Sequence, residues 1–210
     1  MTATRAHPFG CVILAAGAGT RFGEPKAGAA VRDGVRFLDA VCDAARWAGA
    51  DPIVAVVPPG TAVPHGVRPV INAAATAEQI TSLRLGLAQL VNSPVNAALV
   101  WPVDHPFVRV ESALAVVDAA RRTSAPIVVP VHAGRRGHPA WFTRDTWREL
   151  MTVREGGARA VVHGYGARVH EVVVPDDGVT RDIDTPADLA EARHAAGDDE
   201  SGTAPVPARD

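Results

Sequence analysis

One string constrains this chain more than any other: Leu14-Ala15-Ala16-Gly17-Ala18-Gly19-Thr20-Arg21-Phe22-Gly23-Glu24-Pro25-Lys26. The apolar run 11–16 reads as a buried strand, so a strand runs straight into glycines. Glycine lets the backbone turn sharply and approach a ligand with no Cβ in the way, and successive exposed amides in such a turn form a cradle for anions. Arg21 can grip phosphate oxygens through two parallel hydrogen bonds, and Lys26 can add a point charge. Lys26 is the only lysine in the chain, which otherwise uses arginine. Either a compact ammonium is needed there or one lysine survived an arginine-biased composition. The string is not a Walker A loop, because no Gly-Lys-Ser/Thr follows. Nor is it a dinucleotide fingerprint: its glycines are one residue too widely spaced, and Pro25 and Gly28 interrupt any helix. An ordinary glycine-rich turn is the bland alternative.

Beyond this string, apolar periodicity predicts strands at 53–57, 67–71, 97–103, 127–131, 140–142 and 169–174. It predicts helices at 37–48, 79–90, 111–122, 146–151, 158–163 and 186–195. Strands alternating with helices predict a three-layer α/β/α, Rossmann-like fold with a mostly parallel sheet. Ligands in such sheets bind at the carboxyl ends of the strands, which is where the glycine string and Asp104 fall. One domain over residues 1–196 is expected, followed by a polar, disordered tail at 197–210.

The bulk numbers narrow the partners. A net charge of −2 implies no broad basic surface for nucleic acid. No signal peptide or membrane span is read, so a cytoplasmic location is expected. Cys11 and Cys42 lack metal spacing and read as buried free thiols.

Two acidic strings stand out. Asp104 ends a strand and is followed by His105-Pro106. A carboxylate there, facing the glycine loop, suits Mg²⁺, a hard cation that takes oxygen ligands; a turn-capping role is the alternative. Asp182-Ile-Asp184-Thr-Pro-Ala-Asp188 precedes a helix, and capping of that helix is its simplest reading. Ser82, near the start of the 79–90 helix, either hydrogen-bonds a base edge or caps the helix, and Asn72 is a further base or ribose candidate. Arg136 and His138, in Arg135-Arg136-Gly137-His138-Pro139, suit an anionic acceptor or form a solvated basic loop.

The 14–26 string resembles the L-A-A-G-x-G-x-R-x-G-x-x-K signature of the MobA-like NTP transferases, whose members include molybdopterin cytidylyl- and guanylyltransferases and sugar-phosphate nucleotidyltransferases. Val103-Asp104-His-Pro resembles that family's metal-binding turn, and 182–188 its D-I-D-T-P-x-D ending. The resemblance implies a nucleotide-diphosphosugar-transferase-like fold with a mixed sheet, and an Mg²⁺-dependent nucleotidyltransferase, with Mn²⁺ as a substitute. It implies catalytic roles for Arg21, Lys26 and Asp104. Asp104 and Asp184 would be the metal ligands, with Asp182 in reserve. The nucleotide would be held by Leu14, Ala15, Ala16, Gly17, Gly19, Thr20, Arg21, Lys26, Asn72, Ser82 and Asp104.

Arg135 to Pro139, and Gly156-Gly-Ala-Arg159, resemble the molybdopterin cytidylyltransferase branch. They imply acceptor binding by Arg136, His138 and Arg159, and the Ala15-Ala16 pair before Gly17 follows the family's cytidylyl tendency, so CTP is favoured over GTP. A molybdoenzyme or its maturation factor is the protein partner that this branch implies, and the chain is expected as a monomer or homodimer. A sugar 1-phosphate acceptor and a non-catalytic NTP-binding module are the alternatives. The small residues 27–31 depart from the family, which is usually bulkier there.

Overall fold

A computed structural model describes residues 8–74 and 78–200 of the chain. The elements in order are β1 (Phe9–Leu14), β2 (Ala30–Arg32), β3 (Val35–Arg36), α1 (Phe37–Trp47), β4 (Ile53–Val57), β5 (Val67–Ile71), α2 (Gln79–Leu90) and β6 (Ala97–Pro102). They continue with α3 (Val110–Thr123), β7 (Ile127–His132), β8 (Arg135–Arg136), β9 (Ala140–Thr143), α4 (Trp147–Thr152), α5 (Gly157–Tyr165), β10 (Val169–Val173) and α6 (Pro186–Glu200). The residues 146–151, expected as one helix, divide into a 3₁₀ turn at Arg144–Thr146 and α4. Helix α6 runs through Gly197, and 201–210 of the expected tail lie outside the described residues.

The strands order as β10-β7-β9-β6-β1-β4-β5, with β8 paired to β7. All the pairings in this sheet are parallel except those of β9 and the short β7–β8 ribbon. The mixed sheet expected from the resemblance is thus the one observed, and β9 is its reversed strand. Strand β1 lies inside the sheet between β6 and β4 and is buried along its whole length. Its alternate residues serve two cores. Cys11 and Ile13 pack with the apolar faces of α1, α3 and α6, and Val12 and Leu14 pack with α2, α4 and α5. That division is the three-layer arrangement. Cys11 and Cys42 are buried free thiols, and burial pushes Cys42 up to about 12. No helix among the described residues is long and apolar enough to cross a membrane.

Parallel pairing positions the site. Leu14 of β1 is in register with Pro102 of β6, so the glycine loop and Asp104 leave the sheet side by side. The Val103 amide donates to the Leu14 carbonyl at 3.0 Å, which keeps the two segments together past the strand ends.

Helix α2 sits unusually close to β1. A Cβ on Gly86 would come within 2.3 Å of Val12 Cγ1 and 3.2 Å of Val56 Cγ2. Both neighbours are valines, which are stiff at χ1 and cannot swing away. Overpacking of this kind costs about 1–3 kcal/mol, against roughly 1 kcal/mol gained in helix propensity by replacing glycine with alanine. Gly86→Ala is therefore expected to lower the melting temperature in a thermal unfolding scan by a few degrees, at about 2–4 °C per kcal/mol. An unchanged or higher midpoint would contradict this close packing.

Candidate active site

The glycine loop is held by its own backbone. The Gly19 carbonyl accepts from the Phe22 and Gly23 amides, both at 2.9 Å. Gly19 has φ +62°, and a Cβ there would stand 1.9 Å from the Glu24 carbonyl oxygen. No other residue fits. Gly17, by contrast, faces open space. Phe22 anchors the far end of the loop by an edge-on contact with Phe37 at 5.4 Å. The chain then turns through Pro25 to Ala29, with Ala27 and Ala29 buried. That leaves Lys26 reaching back under the loop.

The charges converge there. Lys26 Nζ lies 2.6 Å from Asp184 Oδ1 and 3.7 Å from Asp104 Oδ2, and its side chain is only 12% exposed. Arg21 reaches the other oxygen of Asp184 at 2.7 Å but is 73% exposed. The two acidic strings meet because the Ile183 amide donates to the Asp104 carbonyl at 2.9 Å while the Ile183 side chain is fully buried.

The structure also separates two readings of the 182–188 string. The cap on α6 is made by Thr185 and Asp188. The Asp188 carboxylate accepts from the Thr185 amide at 2.7 Å and the Asp184 amide at 3.0 Å, and Thr185 Oγ1 accepts from the Asp188 amide at 3.2 Å. The Thr185 hydrogen bonds hold the Asp188 carboxyl below its usual range. The Asp184 carboxylate takes no part in the cap and is left to the two cations.

A cleft of about 240 Å³ is lined by Leu14, Ala16, Gly17, Gly19, Thr20, Arg21, Lys26, Gln79, Ser82, Val103, Asp104 and Asp184. Most of the residues expected to hold a nucleotide lie here, with two exceptions. Ala15 faces the core, 1% exposed, and its amide is bound to the Val56 carbonyl. Asn72 is also buried and outside the cleft. Its amide donates to Ser82 Oγ at 3.0 Å and its carbonyl accepts from the Ala74 amide, so it reaches the cleft through Ser82. Ser82 lies inside α2, whose N-cap is Glu78, so it is no helix cap. Gln79 was not singled out from the sequence. A polar first residue on an apolar helix was the available signal.

Beside this cleft opens a cavity of about 870 Å³ that shares Leu14 and Gln79 with it. Arg136, His138 and Arg159, the expected acceptor residues, all line it. Arg136 is tied to Glu171 of β10 at 2.7 Å. A smaller recess of about 270 Å³ is bordered by Asp104, His105, His138, Arg135 and Asp182. Asp182 thus lies in the recess, and Asp184 in the cleft. The rings of His105 and His138 lie with centroids 5.0 Å apart, tilted by 54°. Burial, with His105 beside it, pushes His138 down to about 3, so it is neutral at physiological pH.

The residues fit a divalent cation. Asp104 Oδ1 is shut off from solvent and has no hydrogen-bond donor. Asp184 supplies a second carboxylate across Lys26. Among the described residues no group of three or more His, Cys, Asp or Glu is arranged for a metal. A hard cation would complete its shell with water and phosphate oxygens, as Mg²⁺ does.

A family model described as the MobA-like NTP transferase domain matches residues 11–172. Rv0371c from Mycobacterium tuberculosis H37Rv superposes with a TM-score of 0.77 at 29% identity, over 91% of this chain and 98% of that one. Its complex with manganese gives 0.72 at 26%, over 90% and 99%. The 2-C-methyl-D-erythritol 4-phosphate cytidylyltransferase from Thermus thermophilus shares the fold, with a TM-score of 0.64 at 23% identity over 90% and 99%. No curated protein matches this chain by sequence.

An incoming polyphosphate must compete with Asp184 for both cations. With metal chelated by EDTA, Asp184→Asn is expected to bind inorganic tripolyphosphate about tenfold more tightly than the parent in calorimetric titration. Asp182→Asn, which removes the same charge from a residue not paired with Arg21 or Lys26, should have a clearly smaller effect. Equal effects would mean that Asp184 acts only through general charge.

Proposed function

This chain belongs to the MobA-like NTP transferase family, and from that premise we propose that it transfers a nucleoside monophosphate from an NTP to a small phosphate-bearing acceptor. CTP is the favoured donor and molybdopterin the favoured acceptor. The observation that carries this reading is the Lys26 ammonium between Asp184 and Asp104, at a cleft lined by Gly17 and Gly19 of the glycine loop. Such a site offers cations to a triphosphate and carboxylates to its metal.

A phosphate oxygen of the acceptor attacks the α-phosphorus in line; the bond to the α-phosphorus forms as the bond to the bridging oxygen of pyrophosphate breaks. The nucleophile is already anionic, so no general base is needed, and catalysis is positioning and charge stabilisation. Gly17 and Gly19 bring backbone amides against the phosphates. Arg21 and Lys26 leave Asp184 and take up the charge of the departing pyrophosphate. Asp104 and Asp184 would hold the divalent cation, Mg²⁺ or Mn²⁺, which when bound supplies charge neutralisation at the α-phosphoryl oxygens. Ser82, fixed by Asn72, is offered to the base. His138, neutral and bordering the same recess as Asp104, stands with Arg159 on the acceptor side.

CTP is favoured because Ala15-Ala16 before Gly17 follows the cytidylyl tendency, and molybdopterin because Arg135 to Pro139 resembles that branch. A sugar 1-phosphate remains the alternative acceptor.

Pyrophosphate release measured with each of the four NTPs against a panel of phosphorylated acceptors, molybdopterin among them, tests the proposal. CTP with molybdopterin should give the fastest release. Lys26→Ala and Asp104→Asn should each lose about 10²–10³ in turnover, the usual cost of removing one preorganised charge. NTP binding without release under every condition would mark a non-catalytic binding module instead.

A further inference from the structure

The proposed acceptor must bring a phosphate dianion up to Asp104, with Asp182 bordering the same recess. Two carboxylates there repel it, and the nearby Lys26 ammonium is paired with Asp184 at 2.6 Å and assigned to the pyrophosphate, so a further positive charge is needed on the acceptor side. Three basic side chains border both the recess and the large cavity: Arg135, Arg136 and His138. His138 is neutral, because burial and His105 hold its imidazole unprotonated. Arg136 is tied to Glu171 at 2.7 Å. The Arg135 side chain has no hydrogen bond or ion pair to any described residue.

The backbone beneath Arg135 is fixed on both sides. It begins β8 directly after a two-residue turn, Ala133 and Gly134, both with positive φ (48° and 75°), the form that matches the twist of a hairpin. After it, the Gly137 amide donates to the Pro130 carbonyl at 2.8 Å and the His138 amide to the Val179 carbonyl at 2.7 Å. A Cβ on Gly137 would lie 2.0 Å from the Val179 oxygen, so this crossing admits no side chain. A free guanidinium on a fixed backbone is a means of reading a phosphate by two hydrogen bonds.

The cavity behind it has a different character. Leu14, Ile80, Val100 and Phe142 form apolar wall, while Glu78 is the single carboxylate, and no Ser, Thr, Asn or Asp lines it among the described residues. Apart from the basic β8 segment, its polar partners are Glu78, Gln79, Arg159 and His163, so the hydroxyls of a polyol laid against the apolar wall would be left unsatisfied at a cost.

We propose that Arg135 seats the acceptor's phosphate beside Asp104, and that the ester it selects carries an apolar or aromatic body rather than a polyol. This rests on the nucleotidyl-transfer reading and narrows its acceptor. Arg135 is then the specificity-determining residue of the acceptor side, and Arg136 a strap between β8 and β10.

The test is calorimetric titration of the full chain, with CTP and Mg²⁺ present, using two probes: 1-naphthyl phosphate and glucose 1-phosphate. The naphthyl ester should bind about tenfold more tightly. Arg135→Gln, an exposed change that leaves the core untouched, should weaken the naphthyl ester by about tenfold or more, and Arg136→Gln by clearly less. CTP binding, measured separately, should be unchanged in Arg135→Gln. The proposal is overturned if glucose 1-phosphate binds as tightly, if neither ester binds, or if Arg136→Gln loses as much as Arg135→Gln. Each of these results with CTP binding intact leaves the transfer reading standing. Failure of the parent chain to bind CTP would sink that reading and the role given to this phosphate with it.

Discussion

The architecture of the cleft depends on one ammonium group. Lys26 is nearly enclosed, and Asp184 and Asp104 flank its ammonium. A buried charge without partners is costly, and removing one member of such a cluster leaves the others uncompensated. Two cations and two carboxylates therefore hold one another in place in the absence of ligand. The same balance makes the site responsive. A polyphosphate offers the cations a better partner than one carboxylate, and a divalent metal offers the carboxylates a better partner than one ammonium. Each exchange is easier when the other occurs, so metal and nucleotide are expected to bind in concert.

The fold delivers these groups from positions far apart in sequence. Parallel pairing of β1 with β6 fixes the glycine loop beside Asp104. A single backbone hydrogen bond, Ile183 to Asp104, carries the third segment in, and the buried Ile183 side chain locks it. The Thr185–Asp188 cap then starts α6 without using Asp184. Three small local devices thus yield one cluster, and each belongs to the structure rather than to the chemistry. The close seat of Gly86 on Val12 serves the same end from the other side, because α2 carries Gln79 and Ser82 to the rim of the cleft.

Much of this was legible in the residues. Strand β4 and helix α2 fall where apolar spacing predicts them, because one is wholly apolar and the other carries a clear stripe; β5 also keeps its expected bounds, although only Val67 of it is buried. The convergence of Lys26 with Asp104 and Asp184 was foreshadowed by the family signature. Other features were hidden. The β2–β3 hairpin is built from small and charged residues, Ala30 to Arg36, which give no alternation to read. Strand β8 is two arginines and looked like a loop. Asn72 reads as a ligand-binding amide after a strand, yet tertiary packing directs it to Ser82. The choice between Asp182 and Asp184 turns on which carboxylate faces Lys26, and neither propensity nor spacing encodes that.

The account stands or falls on whether the charge cluster opens around one triphosphate and its metal. A crystal structure of the chain with a non-hydrolysable CTP analogue and Mn²⁺, with anomalous scattering locating the metal, reads this directly. The account predicts a manganese peak contacting both Asp104 and Asp184, and the Lys26 ammonium moved from Asp184 onto a phosphate oxygen. Nucleotide bound elsewhere, or bound here with the Lys26–Asp184 pair intact and no metal on either carboxylate, would contradict it.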